Sequence, residues 1–245
     1  MFNFDRRAII IVIAIMAIAW LASAGTNGIL NVLLSIPGVL IAMTFHEFAH
    51  AYAADKLGDD TPRLQGRLNL NPISHIDPIG FVLLIVAGFG WGKPVQIDPR
   101  NFNGKYSLSK AEAIVAAAGP LMNFFLAFVF MILTYIVFGA TNIISGLSSS
   151  TASVLYTVML EIVIINIGLG VFNLIPLPPL DGSKILMHFL NYNAKQWFYN
   201  NERIFYYAFL ILWITGLLSS ILSPVFSGVF SGMSWLAHKI VSLFM

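Results

Sequence analysis

The sequence contains no cysteine and very little charge. The absence of cysteine excludes disulfide bonds and thiolate metal ligands. Charged residues make up 10% of the chain and hydrophobic residues 58%, whereas an ordinary soluble domain has roughly 25% charged residues. Three long runs contain no Asp, Glu, Lys or Arg: Ala8–Phe45, Ala113–Leu160 and Ile204–His238. The chain is therefore predicted to lie in a lipid bilayer, and its net charge of +2 gives no indication of nucleic acid binding.

The charge-free runs divide into membrane helices at their turn signals, because one crossing needs about 20 apolar residues. The spans predicted in this way lie near residues 8–24, 29–54, 111–139, 153–176, 204–222 and 225–244. The apolar piece from Ile79 to Trp91 is too short to cross, so we expect it to be re-entrant or a short β segment. The predicted fold is an all-α polytopic membrane protein with about six transmembrane helices.

The N-terminal run also has features of a signal peptide. Arg6 and Arg7 precede the apolar residues, and the run Ala22-Ser23-Ala24 resembles a cleavage site. A second apolar run begins at Ile29, directly after a short turn, which favours a retained transmembrane helix.

The basic residues predict how the chain is oriented. With the N-terminus inside and the piece from Ile79 to Trp91 re-entrant, the two predicted outer loops, Gly25–Gly28 and Thr141–Ala152, contain no Lys or Arg. Basic residues concentrate on the cytoplasmic side of membrane proteins. That side would hold all thirteen: Arg6, Arg7, Lys56, Arg63, Arg67, Lys93, Arg100, Lys105, Lys110, Lys184, Lys195, Arg203 and Lys239.

An HExxH motif lies at the end of the first apolar run. On a helix, His46 and His50 share one face, so both imidazoles can reach one metal ion. Glu47 follows His46 and can reach a water molecule on that metal. His46 lies 17 residues after Ile29, which is roughly 26 Å of helix. The motif is therefore predicted near the cytoplasmic boundary of a bilayer core about 30 Å thick.

A catalytic zinc site usually has three protein ligands and one open position. The remaining histidines are His75, His188 and His238, but the better candidate for the third ligand is Asp181. Prolines end the fourth predicted helix and force an extended segment at the cytoplasmic boundary, at about the depth of the two histidines; they are Pro176, Pro178 and Pro179. Gly182 is predicted to let the backbone turn tightly behind Asp181.

These motifs resemble the site-2 protease family of intramembrane zinc metalloproteases. The resemblance is carried by HEFAH in a predicted membrane helix, by FNLIPLPPLDG at 172–182, and by three shorter stretches at 66–78, 92–95 and 118–123. The segment between the catalytic helices is too short for a PDZ domain, so the chain is similar to the minimal branch of the family. The resemblance implies a single membrane domain with an N-terminal helix and turn in 1–28, a catalytic core in 29–190 and C-terminal transmembrane helices in 191–245.

The resemblance also implies a role for each matching residue. One zinc ion would be bound by His46, His50 and Asp181, with Glu47 as the general base. Asn173, eight residues before Asp181, would position the substrate carbonyl or stabilise its oxyanion.

Other matching residues have less definite roles. Asn123 matches an Asn of less definite role. Asn166 is not part of a matching motif; it lies seven residues before Asn173, on a similar helix face, where packing between helices explains it as well as a functional role does. The segments Arg67–Asn71 and Lys93–Ile97 match strands or loops near the substrate.

The implied function is hydrolysis of peptide bonds in or near the transmembrane segments of membrane protein substrates, as in regulated intramembrane proteolysis. The protein would lie in the cell membrane with its N-terminus and active-site mouth on the cytoplasmic side. Zinc would polarise the scissile carbonyl, Glu47 would transfer the proton to the leaving nitrogen, and Asn173 would donate to the oxyanion.

Two other classes of protein can carry the same motif. A zinc transporter can place HExxH on a membrane helix, but it should also have a second ligand set and a polar path across the membrane. An inactive membrane scaffold would have no need of Glu47. The charge-free spans offer no second His or Asp pair, which favours the protease.

Overall fold

The computed structural model describes the backbone of residues 6–87, 92–139 and 146–244. Within these ranges the chain is built from helices, and its β contact is an isolated antiparallel bridge between Ile76 and Gly92. The predicted all-α class is therefore confirmed. The helices are α1 Arg6–Lys56, α2 Thr61–Leu64, α3 Pro72–His75, α4 Pro78–Ala87, α5 Leu108–Gly139, α6 Ser149–Asn173, α7 Asp181–Phe189, α8 Tyr192–Asn200, α9 Glu202–Ile214 and α10 Leu217–Val241, with a 3-10 turn at Pro99–Asn101 between α4 and α5.

Four helices in the described part of the chain are long and apolar enough to cross a membrane. They are the Gly28–Lys56 part of α1, together with α5, α6 and α10. The first three confirm the spans predicted near 29–54, 111–139 and 153–176. The backbone before the kink at Gly25 is helical, but the side chains of the span predicted near 8–24 lie outside the described residues. The count of six stays a prediction.

The predicted division of the C-terminal run is wrong. The sequence placed a break between spans near 204–222 and 225–244, whereas the helix breaks earlier, at Gly216. Gly216 has a φ of 72°, a left-handed conformation that favours glycine and ends helices. Pro224 lies inside α10, because membrane helices tolerate internal proline when neighbouring groups satisfy the backbone. α9 has only 13 residues, which is short for a crossing.

The predicted re-entrant piece from Ile79 to Trp91 is described only in part. It begins as the helix α4, Pro78–Ala87, and residues 88–91 lie outside the described residues. Its return from the membrane therefore stays a prediction.

Helix α5 lies at the centre of the bundle, where it packs against α1, α6 and α10. Ala127 of α5, Ile167 of α6 and Ala237 of α10 are fully buried in one apolar cluster. Small residues allow membrane helices to approach closely, and Gly38 does so between α1 and α6. A Cβ on Gly38 would lie 2.8 Å from Cδ1 of Ile165. This packing brings together α1, α5 and α6, the three helices that carry most of the site.

A buried carboxylate ties the loop after α4 to the end of α1. Asp59 is fully buried and accepts hydrogen bonds from the Asp98 backbone at 2.8 Å and the Asn101 amide at 3.0 Å. Burial raises the pKa of Asp59, but the hydrogen bonds, led by those from Thr61 and Asn101, hold it below its usual range. The ionised carboxylate therefore fixes the loop that covers one side of the site.

Candidate metal centre

Helix α1 places both histidines of the motif on its buried face. His46 is 6% exposed and His50 is 8% exposed, and their Nε2 atoms are 3.0 Å apart. The four-residue spacing produces this pairing, because residues i and i+4 are neighbours on a helix surface.

Asp181 reaches the histidines from the segment after α6. Helix α6 ends at Asn173, a turn containing the cis Pro178–Pro179 bond follows, and Asp181 opens α7. Gly182 lies against the backbone of this turn, so that a Cβ there would be 2.5 Å from the carbonyl oxygen of Ile175. Gly182 is not among the glycines with positive φ. It is therefore required for space, and not for the conformational freedom that the sequence suggested.

The three side chains meet at one point. Oδ2 of Asp181 lies 3.2 Å from Nε2 of His46 and 3.2 Å from Nε2 of His50. Ligands about 2.0 Å from a tetrahedral zinc ion stand roughly 3.3 Å apart. The spacing of the three atoms therefore fits one zinc ion with an open fourth position.

The hydrogen bonds of the imidazoles leave their Nε2 atoms as lone-pair donors. Nδ1 of His46 lies 2.6 Å from Oδ1 of Asn123, and Nδ1 of His50 lies 2.7 Å from the carbonyl oxygen of Val115. Since these oxygens only accept, each Nδ1 carries the hydrogen and each Nε2 presents a lone pair. The Oδ2 atom of Asp181 is buried without a hydrogen-bond donor. Two lone pairs and a carboxylate oxygen facing one another require a cation between them.

A bound metal ion would also decide the charge state of Asp181. Burial of its Oδ2 without a hydrogen-bond donor opposes ionisation, and a cation beside this oxygen would favour the ionised form that a metal ligand must have.

Gly119 of α5 makes room for the two imidazoles. A Cβ on this residue would lie 2.7 Å from Cε1 of His46 and 2.7 Å from Cε1 of His50. Real Cβ atoms do not approach so closely, so only glycine allows α5 to pass this near to the site.

Glu47 is held beside the metal cluster by the chain that precedes α5. Its Oε2 atom accepts a hydrogen bond from the backbone N–H of Val95 at 3.1 Å. Gly92 lies close to the other oxygen, and a Cβ there would be 3.2 Å from Oε1. The carboxylate that the sequence assigns as the base is therefore oriented by backbone, and it lines the same cavity as the three ligands.

His75 has a structural role. It is fully buried, and its Nε2 bonds to the carbonyl oxygen of Asn69 at 2.7 Å. Burial lowers its pKa, so it stays neutral. Its own carbonyl accepts from the backbone of Lys93 at 2.8 Å, while Arg67 donates to the carbonyl of Lys93. These contacts hold the segment that reaches Glu47.

Asn173 lines the cavity but does not touch the metal cluster. Its amide donates to the carbonyl oxygen of Leu169 one turn earlier in α6, at 3.1 Å. The structure thus places Asn173 in the cavity that also contains the three ligands, and its contact with a substrate carbonyl remains a prediction.

The cavity around these residues has a volume of about 490 Å³. Beside the ligands, Glu47 and Asn173, its wall includes Met43, Val115, Leu169 and Phe172, with Glu112 and Lys184 as further charged residues. A mostly apolar cleft with a few convergent polar groups is the usual form of a substrate site.

Two contributors to the site were missed from the sequence, and the role of a third, Asn166, was left open. The carbonyl of Val115 and the N–H of Val95 are backbone groups, which every residue has, so no sequence signal marks them. Asn166 had a weak signal, because a fully buried amide in an apolar helix needs a partner. Its partner is Asn123, on a different helix.

A buried His₂Asp cluster beside a glutamate, with both histidines on an apolar helix long enough to cross a bilayer, is the site of a zinc metalloprotease of the membrane. Residues 34–216 match the family model described as Peptidase family M50. The chain belongs to this family, the site-2 proteases, and zinc is its cofactor.

Several relatives carry the name "Putative zinc metalloprotease". YwhC of Bacillus subtilis is 37% identical over 179 residues, covering 73% of this chain and 79% of that protein. MJ0611 of Methanocaldococcus jannaschii is 31% identical over 189 residues, covering 76% and 86%. Rip2 of Mycolicibacterium smegmatis is 29% identical over 197 residues, covering 74% and 70%. No solved structure matches the chain.

Proposed function

We propose that this zinc metalloprotease cleaves peptide bonds in or near the transmembrane segments of membrane proteins, with its active-site mouth on the cytoplasmic side. The observation that carries the proposal is the position of the cluster. His46 and His50 lie in the C-terminal half of a helix long enough to cross a bilayer, and such helices supply half of the residues that line the cavity around them.

Each catalytic role is supported by a contact of the site. His46, His50 and Asp181 would hold the zinc ion, which supplies Lewis acidity toward the scissile carbonyl and toward water. Glu47 would accept a proton and pass it to the leaving nitrogen. The hydrogen bond from Val95 keeps one oxygen of Glu47 occupied, so the other oxygen is the one available for this transfer.

Asn173 would complete the site once a substrate is present. Its amide bonds to a carbonyl of its own helix, and a carbonyl of an unwound substrate could replace that acceptor and be stabilised as it gains charge. The non-helical backbone from Lys93 to Val95 lies beside the base, where a substrate segment could add as a strand.

The proposed orientation places the N-terminus on the cytoplasmic side and rests on the distribution of Lys and Arg. Single cysteines test it directly, because the chain has none of its own. Cysteines introduced at Asp60 and Asn103 should resist a membrane-impermeant thiol reagent added to intact cells, and those at Asn27 and Ser148 should react. Labelling of the cysteines at Asp60 and Asn103 from outside would show that the protein has the opposite orientation.

A zinc carrier is the competing function for the same motif. A carrier needs a second set of ligands along its path, and in the part of the chain that the structure describes, the clustered metal-ligating residues are His46, His50 and Asp181. The single described cluster favours catalysis at one site.

The decisive experiment compares Glu47→Gln with Glu161→Gln, since each replaces one carboxylate within a membrane helix. Single-pass membrane proteins that accumulate in cells carrying Glu47→Gln would identify substrates. One of these would then be reconstituted in liposomes with each purified protein and zinc. We expect Glu47→Gln to bind zinc and lose cleavage by several orders of magnitude, and Glu161→Gln to cleave. Undiminished cleavage by Glu47→Gln would remove the base from the mechanism, and zinc flux by the wild type would favour the carrier.

A further inference from the structure

A chain of three buried polar side chains crosses the bundle behind the metal centre. Nδ1 of His46, on α1, bonds to Oδ1 of Asn123, on α5, at 2.6 Å. The amide nitrogen of Asn123 bonds to Oδ1 of Asn166, on α6, at 3.0 Å. Both asparagines are fully buried. A metal ligand is thus connected through two amides to a helix that supplies none of the three clustered ligand atoms.

In this row of three side chains, the neighbouring groups assign a partner to the amide nitrogen and to the amide oxygen of each asparagine. The Asn123 amide nitrogen also donates to the carbonyl of Ala42 at 3.0 Å, so both of its hydrogens are used. Asn166 donates its own amide to the carbonyl of Ile162 at 2.8 Å, which leaves its Oδ1 facing Asn123. These bonds fix the orientation of both amides. Asn123 can therefore only accept from Nδ1 of His46, and the imidazole is held with Nε2 free for the metal.

The two histidines are supported differently. His50 is held by a backbone carbonyl, that of Val115, which no side-chain substitution removes. His46 depends on an amide side chain, and the amide in turn depends on Asn166. In a membrane helix there is no bulk water to replace a lost hydrogen-bond partner. A substitution at Asn166 should therefore loosen Asn123 and the imidazole of His46, while the hydrogen bond that supports His50 stays intact.

We propose that Asn123 and Asn166 are positioning residues that fix the tautomer and orientation of His46 for zinc, an inference that rests on the proposed zinc site. When a group that hydrogen-bonds to the second nitrogen of a metal-binding histidine is mutated, metal affinity typically falls about 10- to 100-fold. Asn166 acts through Asn123, so its effect should be the smaller of the two.

The test uses the full-length protein in detergent, with zinc alone as the ligand and a chelator as competitor. Asn166→Leu removes the acceptor at similar volume, and Asn166→Asp keeps an acceptor oxygen in the same place. Tyr135→Phe is the control, because it removes another interhelical hydrogen bond of α5, the 2.7 Å bond to Ser234 on α10. Should Asn166→Leu fail to fold, Asn166→Ala removes the same oxygen.

We expect zinc affinity to fall about tenfold in Asn166→Leu and up to about 100-fold in Asn123→Leu, to return largely in Asn166→Asp, and to stay unchanged in Tyr135→Phe. The visible absorption of the cobalt-substituted protein should shift in the two leucine variants only, because it reports the ligand field. Wild-type zinc affinity and an unchanged cobalt spectrum in Asn166→Leu would overturn the proposal, as would equal losses in Asn166→Asp and Asn166→Leu.

These readouts are separate from proteolysis. A wild type that binds zinc tightly but cleaves no membrane protein would contradict the proposed substrate class and leave the positioning role intact. A wild type that cleaves, with Asn166→Leu binding zinc as tightly, would contradict the positioning role alone.

Discussion

Gly119 and His50 are in direct contact across the α1–α5 interface: a Cβ on Gly119 would lie 2.7 Å from Cε1 of the imidazole. The contact explains why a site on α1 can be completed by groups from α5. It also makes a glycine on one helix a condition for metal binding on another.

We expect Gly119→Ala to weaken zinc binding strongly, because the added methyl group must displace one or both imidazoles. Overpacking of this kind costs about 1–3 kcal/mol, which corresponds to roughly 5- to 150-fold in affinity if it falls on the bound state. Zinc affinity measured by chelator competition is the readout. Gly168→Ala is the control, because a Cβ on Gly168 of α6 would meet nothing within 4 Å. Equal affinities in the two variants would show that α5 can move aside.

Asp181→Ala should leave the protein with little zinc. The substitution removes one of three ligand atoms and leaves two imidazoles alone in a buried site. Metal analysis of the purified protein should give about one zinc per chain for the wild type, and much less for the variant. His238→Ala, an exposed histidine on α10, should keep its zinc. Full zinc content in Asp181→Ala would mean that another group supplies the third ligand.

Val95→Pro should lower kcat while zinc binding is kept. Proline has no N–H, so the substitution removes the hydrogen bond that orients Glu47 at 3.1 Å, and the three ligands are untouched. Val95→Ala is the matched control, since it shortens the side chain and keeps the N–H. Cleavage rates at saturating substrate separate the two variants. Equal rates would show that the base does not need this bond.

Asp59→Ala should loosen the loop that covers the cavity. The carboxylate accepts hydrogen bonds from the Asp98 backbone and the Asn101 amide. Its loss should therefore make the loop a faster substrate for a second, soluble protease added to the purified protein. The pKa of Asp59 is lowered in the folded protein; its stabilising effect is therefore complete above its unfolded pKa of about 3.9 and is lost as the pH falls through the lower folded value. The wild type should loosen in the same way only in this acidic range.

Asp60→Ala is the control for the loop, because the neighbouring carboxylate is exposed and caps no helix by a side-chain hydrogen bond. Similar cleavage of the two variants at neutral pH would mean that Asp59 does not anchor the loop.

The sequence by itself determined the environment, the motif and three of the main spans. Long charge-free runs have no alternative to a membrane, and the four-residue spacing of His46 and His50 forces them onto one helix face. Asp181 could also be assigned, since prolines after a membrane helix leave the next polar residue near the bilayer boundary. These features are local in the chain, or depend only on depth in the bilayer.

The tertiary structure decided what lies between the helices. All the contacts that support the two imidazoles join residues distant in sequence. Asn123, backed by Asn166, accepts a hydrogen bond from His46, and the carbonyl of Val115 accepts one from His50. Gly119 leaves the space that both rings need. The break at Gly216 was decided in the same way, because a proline such as Pro224 ends a helix only where packing fails to compensate for its missing N–H. Contacts of this kind depend on how close two helices come, and hydropathy and spacing carry no information about that distance.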